Sequence, residues 1–79
     1  MIEEGILLAD GFEDAYLGQA RQVTTWVAVY DYDLCLDVLM RRDGMSRDEA
    51  SDYFEFNVVG GYVGPQTPVF LEREELAQI

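Results

Sequence analysis

The chain has 79 residues and sets sixteen carboxylates against five arginines, with no lysine and no histidine, for a net charge of −11. That excess disfavours direct binding to nucleic acid or to an anionic bilayer, because neutralising phosphates takes clustered Lys and Arg. Hydrophobic residues make up 49% and aromatics 13%, too much apolar content for a charge-swollen disordered chain, so a single folded domain over residues 1–79 is expected.

Residues 1–14 hold five carboxylates and no base. The acidic opening Met1-Ile2-Glu3-Glu4 is unlike a signal peptide, which begins with positive charge. Ile6-Leu7-Leu8 is a short apolar run that suits a strand or a helical turn, and Asp10-Gly11 reads as a turn. Ala15 to Val23 alternates weakly and is expected to be a strand. Thr24-Thr25 would sit in the connection. Trp26 to Tyr30 is rich in β-branched and aromatic residues and makes the second strand of an antiparallel hairpin.

The period then changes. Tyr32, Cys35, Leu36, Leu39 and Met40 fall on one face of a helix. Asp31 can cap it, Arg41 and Arg42 suit its last turn, and Gly44 can end it in a left-handed conformation. Ser46-Arg47-Asp48-Glu49 is a capping box that starts a second helix. Its inward stripe is read as Ala50, Tyr53, Phe54, Asn57 and Val58, with Tyr53 and Phe54 holding the helix onto the sheet, and Gly60-Gly61 ends it. Gly64-Pro65 is a turn, and Thr67 to Leu71 is a third strand, with Pro68 marking it as an edge. The expected fold is α+β: a small antiparallel sheet of about three strands, packed on one face by a helical hairpin.

Catalysis is not expected. Histidine, the commonest general base, and lysine, the amine nucleophile, are both missing. Cys35 lies on the apolar stripe and reads as a buried hydrophobe; as the single cysteine it cannot form an internal disulfide and suits a reducing cytosol. Asp31-Tyr32-Asp33 opens like a calcium loop, but Leu36 and Arg42 occupy the positions that need glycine and glutamate. Gly60, Gly61 and Gly64 lack the Lys and the strand–helix order of a phosphate cradle. No cofactor and no metal are expected, and nothing approaches the ~18 apolar residues of a membrane span.

One constellation remains. Asp48, Asp52 and Glu55 recur at i, i+4 and i+7 on the second helix, opposite its apolar stripe, with Glu49 beside them. Neighbours in that row step by about 4.5–6 Å along the axis, comparable in scale to phosphate spacing on a nucleic-acid strand. Asp33 and Asp37 form a shorter row on the first helix, where Arg41 partly offsets Asp37. Such rows are often no more than solvated helix faces, but a surface built only for solubility mixes both signs. The six carboxylates are therefore the candidate contacts for a basic, nucleic-acid-binding protein surface. The uncharged stretch 56–71 has two readings: core plus a closing strand, or an exposed apolar patch anchored by Tyr62 for self-association or partner docking. A monomer or weak dimer is expected.

From Tyr30 onward the string Asp43-Gly44-Met45-Ser46, Glu49-Ala50, Tyr53-Phe54-Glu55-Phe56-Asn57-Val58-Val59-Gly60, Tyr62-Val63-Gly64 and Thr67-Pro68-Val69-Phe70 resembles a set of small, mostly uncharacterised phage and prophage proteins. The resemblance covers roughly the C-terminal half. It implies the cytoplasm of a bacterial host and a role in phage–host conflict. Small acidic phage proteins of this size include anti-CRISPR proteins, some of which imitate DNA. By that similarity the expected function is an anti-CRISPR inhibitor that mimics nucleic acid and blocks DNA binding by a host CRISPR surveillance complex; the alternative is a phage accessory or structural protein that self-associates through residues 56–71.

Overall fold

The computed structural model describes residues 6–73. The order of elements is a 3-10 turn Glu13–Ala15, strand β1 Tyr16–Gln22, strand β2 Thr25–Asp31, helix α1 Tyr32–Asp43, helix α2 Arg47–Phe54, a π-helical turn Glu55–Val59, and strand β3 Val69–Leu71. The fold is α+β, a three-stranded sheet in the order β1-β2-β3 with a helical hairpin. The run at Ile6-Leu7-Leu8 forms neither strand nor helix.

β1 and β2 pair antiparallel, from Tyr16 opposite Tyr30 to Gln22 opposite Thr25. The register slips between Tyr16 and Gly18, where Gly18 at φ 144 accommodates a bulge. β3 corrects the all-antiparallel expectation: Val69, Phe70 and Leu71 pair parallel with Val29, Tyr30 and Asp31. The reason is topological. Both helices intervene between β2 and β3, and such a crossover returns the chain in the direction it left. β3 lies at the edge, as Pro68 suggested.

The helix ends are made locally. Asp31 accepts from the Leu34 N–H at 2.9 Å, and Gly44 at φ 69 donates to the Met40 carbonyl. At α2, Ser46 Oγ accepts from the Glu49 N–H at 3.2 Å, while Glu49 Oε1 accepts from the Ser46 N–H at 2.9 Å. Both orphan donors are thus satisfied by the box read from the sequence.

Ala28 and Tyr30, two apart on β2, face Cys35, Leu36 and Leu39 of α1 in the core. Phe54 is the hub. Its ring meets Phe12 at 5.5 Å, Tyr32 at 5.4 Å and Phe70 at 4.9 Å between centroids, each edge-on. One residue therefore joins the N-terminal segment, both helices and β3. Cys35 is fully buried, and burial, with a smaller push from the Asp31 carboxylate, raises its thiol to about 12. It is a packing residue, not a nucleophile at neutral pH.

The second helix departs from its expected stripe. Ala50 and Phe54 are buried, but Tyr53 and Asn57 are exposed and Val58 is half-buried. The cause is the way α2 leans on α1. Arg47, Ser51 and Glu55 lie along one row and all reach the first turn of α1, at Asp33 and Tyr32. Ala50 and Phe54 carry the burial, flanked on the α1 side by half-buried Ser51, and Tyr53 turns to solvent, so Phe54 alone of the aromatic pair holds α2 to the sheet.

Candidate interaction surface

The helical hairpin places the six expected contact carboxylates, Asp33, Asp37, Asp48, Glu49, Asp52 and Glu55, at the surface, and all six are exposed. They are not equivalent. Asp33 accepts from Arg47 Nη2 at 2.8 Å in an exposed ion pair that ties the two helices. Glu55 accepts from the Tyr32 hydroxyl at 2.6 Å. Glu49 is half of the capping box, and its hydrogen bonds to the Ser46 backbone and side chain hold its carboxyl below the usual range. Asp37, Asp48 and Asp52 have no hydrogen-bond or ion-pair partner among the described residues. Asp48 and Asp52 are one helical turn apart, about 6 Å along the axis, with no base between them.

The arginines explain why that row stays uncompensated. Arg42 is held by Asp43 at 3.3 Å, donates to the Gly11 carbonyl at 3.1 Å and lies over the Phe12 ring. Arg73 pairs with the buried Asp31 at 2.9 Å. Arg21 sits over its cross-strand neighbour Trp26 at 5.2 Å from the ring centroid. Arg41, expected to offset Asp37, instead approaches Asp14 at 4.0 Å. Every arginine is engaged inside the molecule, and none of them touches Asp48 or Asp52. A partner's cations would meet these two carboxylates without first breaking an internal pair.

Both readings of the uncharged stretch 56–71 hold in part. Within the uncharged stretch, Phe56 is 85%, Tyr62 75% and Val63 67% exposed. Phe70 packs in the core through Phe54 and Tyr30, and Val58 packs against it, so the stretch divides between core and surface. Val63 also lines a shallow groove of about 450 Å³ with Leu7, Phe12, Val58, Pro68 and Phe70.

No protein-family model, no curated protein and no solved structure matches this chain. Among the described residues no helix is long and apolar enough to cross a membrane.

Proposed function

We propose that this is a non-enzymatic, acidic interaction protein of phage origin. In the host cytoplasm it docks the acidic face of its helical hairpin onto the basic nucleic-acid-binding surface of a host defence complex, a CRISPR surveillance complex being the candidate, and so excludes DNA. The observation that carries it is the unpaired pair Asp48 and Asp52 on α2, with a third unpaired carboxylate, Asp37, exposed on α1. These charges are exposed and held on packed helices rather than on loops, so little ordering is lost when a basic groove engages them. Opposite potentials steer the encounter and reject acidic partners. Asp33, Glu49 and Glu55 add field, but each already serves a bond within the fold.

The test is competition. Tagged protein recovers a basic nucleic-acid-binding complex from host lysate, duplex DNA displaces it, and Asp48→Lys with Asp52→Lys abolishes recovery while helical circular dichroism is retained. Recovery that survives that double substitution, or that DNA leaves unchanged, would contradict the proposal.

A second reading rests on the exposure of Phe56, Tyr62 and Val63, which favours self-association through residues 56–71. Salt separates the two. Screening weakens an anion–cation docking contact but relieves repulsion between two chains of net charge −11, so a dimer strengthens as salt rises. Light scattering across a salt series reads the difference.

A further inference from the structure

Residues 8–13 lie against the sheet and border a half-open cavity of about 290 Å³ lined by Leu8, Ala9, Asp10, Glu13, Tyr16 and Tyr30. The Ala9 N–H donates to the Tyr30 hydroxyl at 2.8 Å and pins the segment in place. Tyr30 is buried and forms the floor. Tyr16, half-buried, stands edge-on to it at 5.4 Å between centroids. Two exposed carboxylates complete the lining. Glu13 is steadied by the Gly11 N–H, which donates to its Oε1 at 3.3 Å. Neither Asp10 nor Glu13 has an ion-pair partner among the described residues. Burial raises the Tyr30 hydroxyl above its ordinary pKa, and Tyr16 and Glu13 add to the rise, so the charge of Glu13 is felt at the floor.

An apolar, aromatic lining with two carboxylates that form no ion pair, of which Glu13 feels the Arg42 guanidinium, is the wrong environment for an anion and an incomplete one for a neutral apolar ligand. It suits a cation carried on a methylene stem: the stem covers Leu8 and Ala9, and the cation lies against the half-buried Tyr16 ring within reach of the acids. A guanidinium fits better than an ammonium. It is planar, more weakly hydrated, stacks on aromatic faces and pairs with carboxylates through several donors.

We infer that this cavity is a binding site for a guanidinium group on an aliphatic stem, the chemistry shared by an arginine side chain and by free small guanidines. The site lies on the N-terminal segment and the β hairpin, apart from α2. It stands or falls independently of the docking role of Asp48 and Asp52.

The experiment is an NMR titration of the whole protein at constant ionic strength with 1-butylguanidinium, and in parallel with butylurea, its neutral isostere. Saturable shifts are expected at Ala9, Gly11 and Tyr16, with butylurea binding about tenfold more weakly, the equivalent of one charge-assisted contact. The double variant Asp10→Asn, Glu13→Gln should weaken butylguanidinium about tenfold, and Tyr16→Leu about threefold, the value of a solvent-exposed cation–π contact. The peptide acetyl-Gly-Arg-Gly-amide distinguishes the sources. Binding at least as tight as butylguanidinium assigns the site to a protein's arginine, and exclusion of the peptide assigns it to a free guanidine. Equal binding of butylurea, shifts spread equally over the acidic residues of α2, or a folded double variant that binds as before would overturn the inference.

Discussion

The Tyr32 hydroxyl donates to a Glu55 carboxylate oxygen at 2.6 Å, linking the first residue of α1 to the residue that follows α2. The same bond takes Glu55 out of the acidic row and turns α2 against α1. The Glu55 carboxylate, as acceptor, favours the protonated phenol and is the largest cause of the raised Tyr32 pKa. A tyrosine raised on folding stabilises the fold fully below the ordinary tyrosine range near ~10 and loses that contribution as pH climbs through the folded value. Difference spectra should show a late-ionising tyrosine that Tyr32→Phe removes, together with its share of the alkaline loss of stability. An unchanged titration in that variant would mean the bond is not formed in solution.

Phe54 touches aromatic rings from three other parts of the chain, so its truncation is expected to be among the costliest core changes. Phe54→Ala should cost about 3–5 kcal/mol, a large share of the stability of so small a domain. Urea denaturation followed by tryptophan fluorescence measures it. Tyr53→Ala, one residue away on the exposed side, should cost far less, and equal losses would contradict the outward turn of Tyr53.

The capping box predicts an acid-side dependence. The Glu49 carboxylate is held low by its bonds to Ser46, so its stabilisation is present above the ordinary carboxylate range and is lost as pH falls through its depressed value. Glu49→Gln keeps an acceptor for the Ser46 N–H and should flatten that part of the stability–pH curve. Ser46→Ala should cost about 1 kcal/mol at neutral pH. Thermal melts from pH 7 down to about pH 3, across the carboxylate range, check both.

Val23 sits at the tip of the β1–β2 hairpin with φ 58 and is 85% exposed. A β-branched residue is strained there, and its side chain gains almost nothing from packing. Val23→Asn should therefore stabilise the fold by about 1 kcal/mol, read as a higher urea midpoint at unchanged slope.

What the sequence disclosed was what neighbouring residues decide. Asp31 capping Leu34, Gly44 ending α1 and the Ser46–Glu49 box are short-range bonds, and each was legible in the order of residue types. The pairing direction of β3 was not, because it depends on the path of two helices between residues 31 and 69. Nor was the exposure of Tyr53. A 3.6-residue period places Tyr53 beside Phe54, but the contacts of Arg47 and Glu55 with α1 set which side faces inward. That the six candidate carboxylates face solvent was legible from the helical period. Their division into bonded Asp33, Glu49 and Glu55 and unpaired Asp37, Asp48 and Asp52 required the positions of Arg47, Ser46 and Tyr32. The cavity by Tyr16 and Tyr30 had no sequence signal, since it exists only where the N-terminal segment meets the sheet.

The salt dependence of affinity for a recovered basic partner tests the acidic docking face most directly, measured for the native chain and for Asp48→Asn with Asp52→Asn. The native chain should lose affinity steeply as salt rises, and the neutralised variant should bind more weakly with a shallower slope. Identical affinities and slopes for the two proteins would place the contact elsewhere on the molecule.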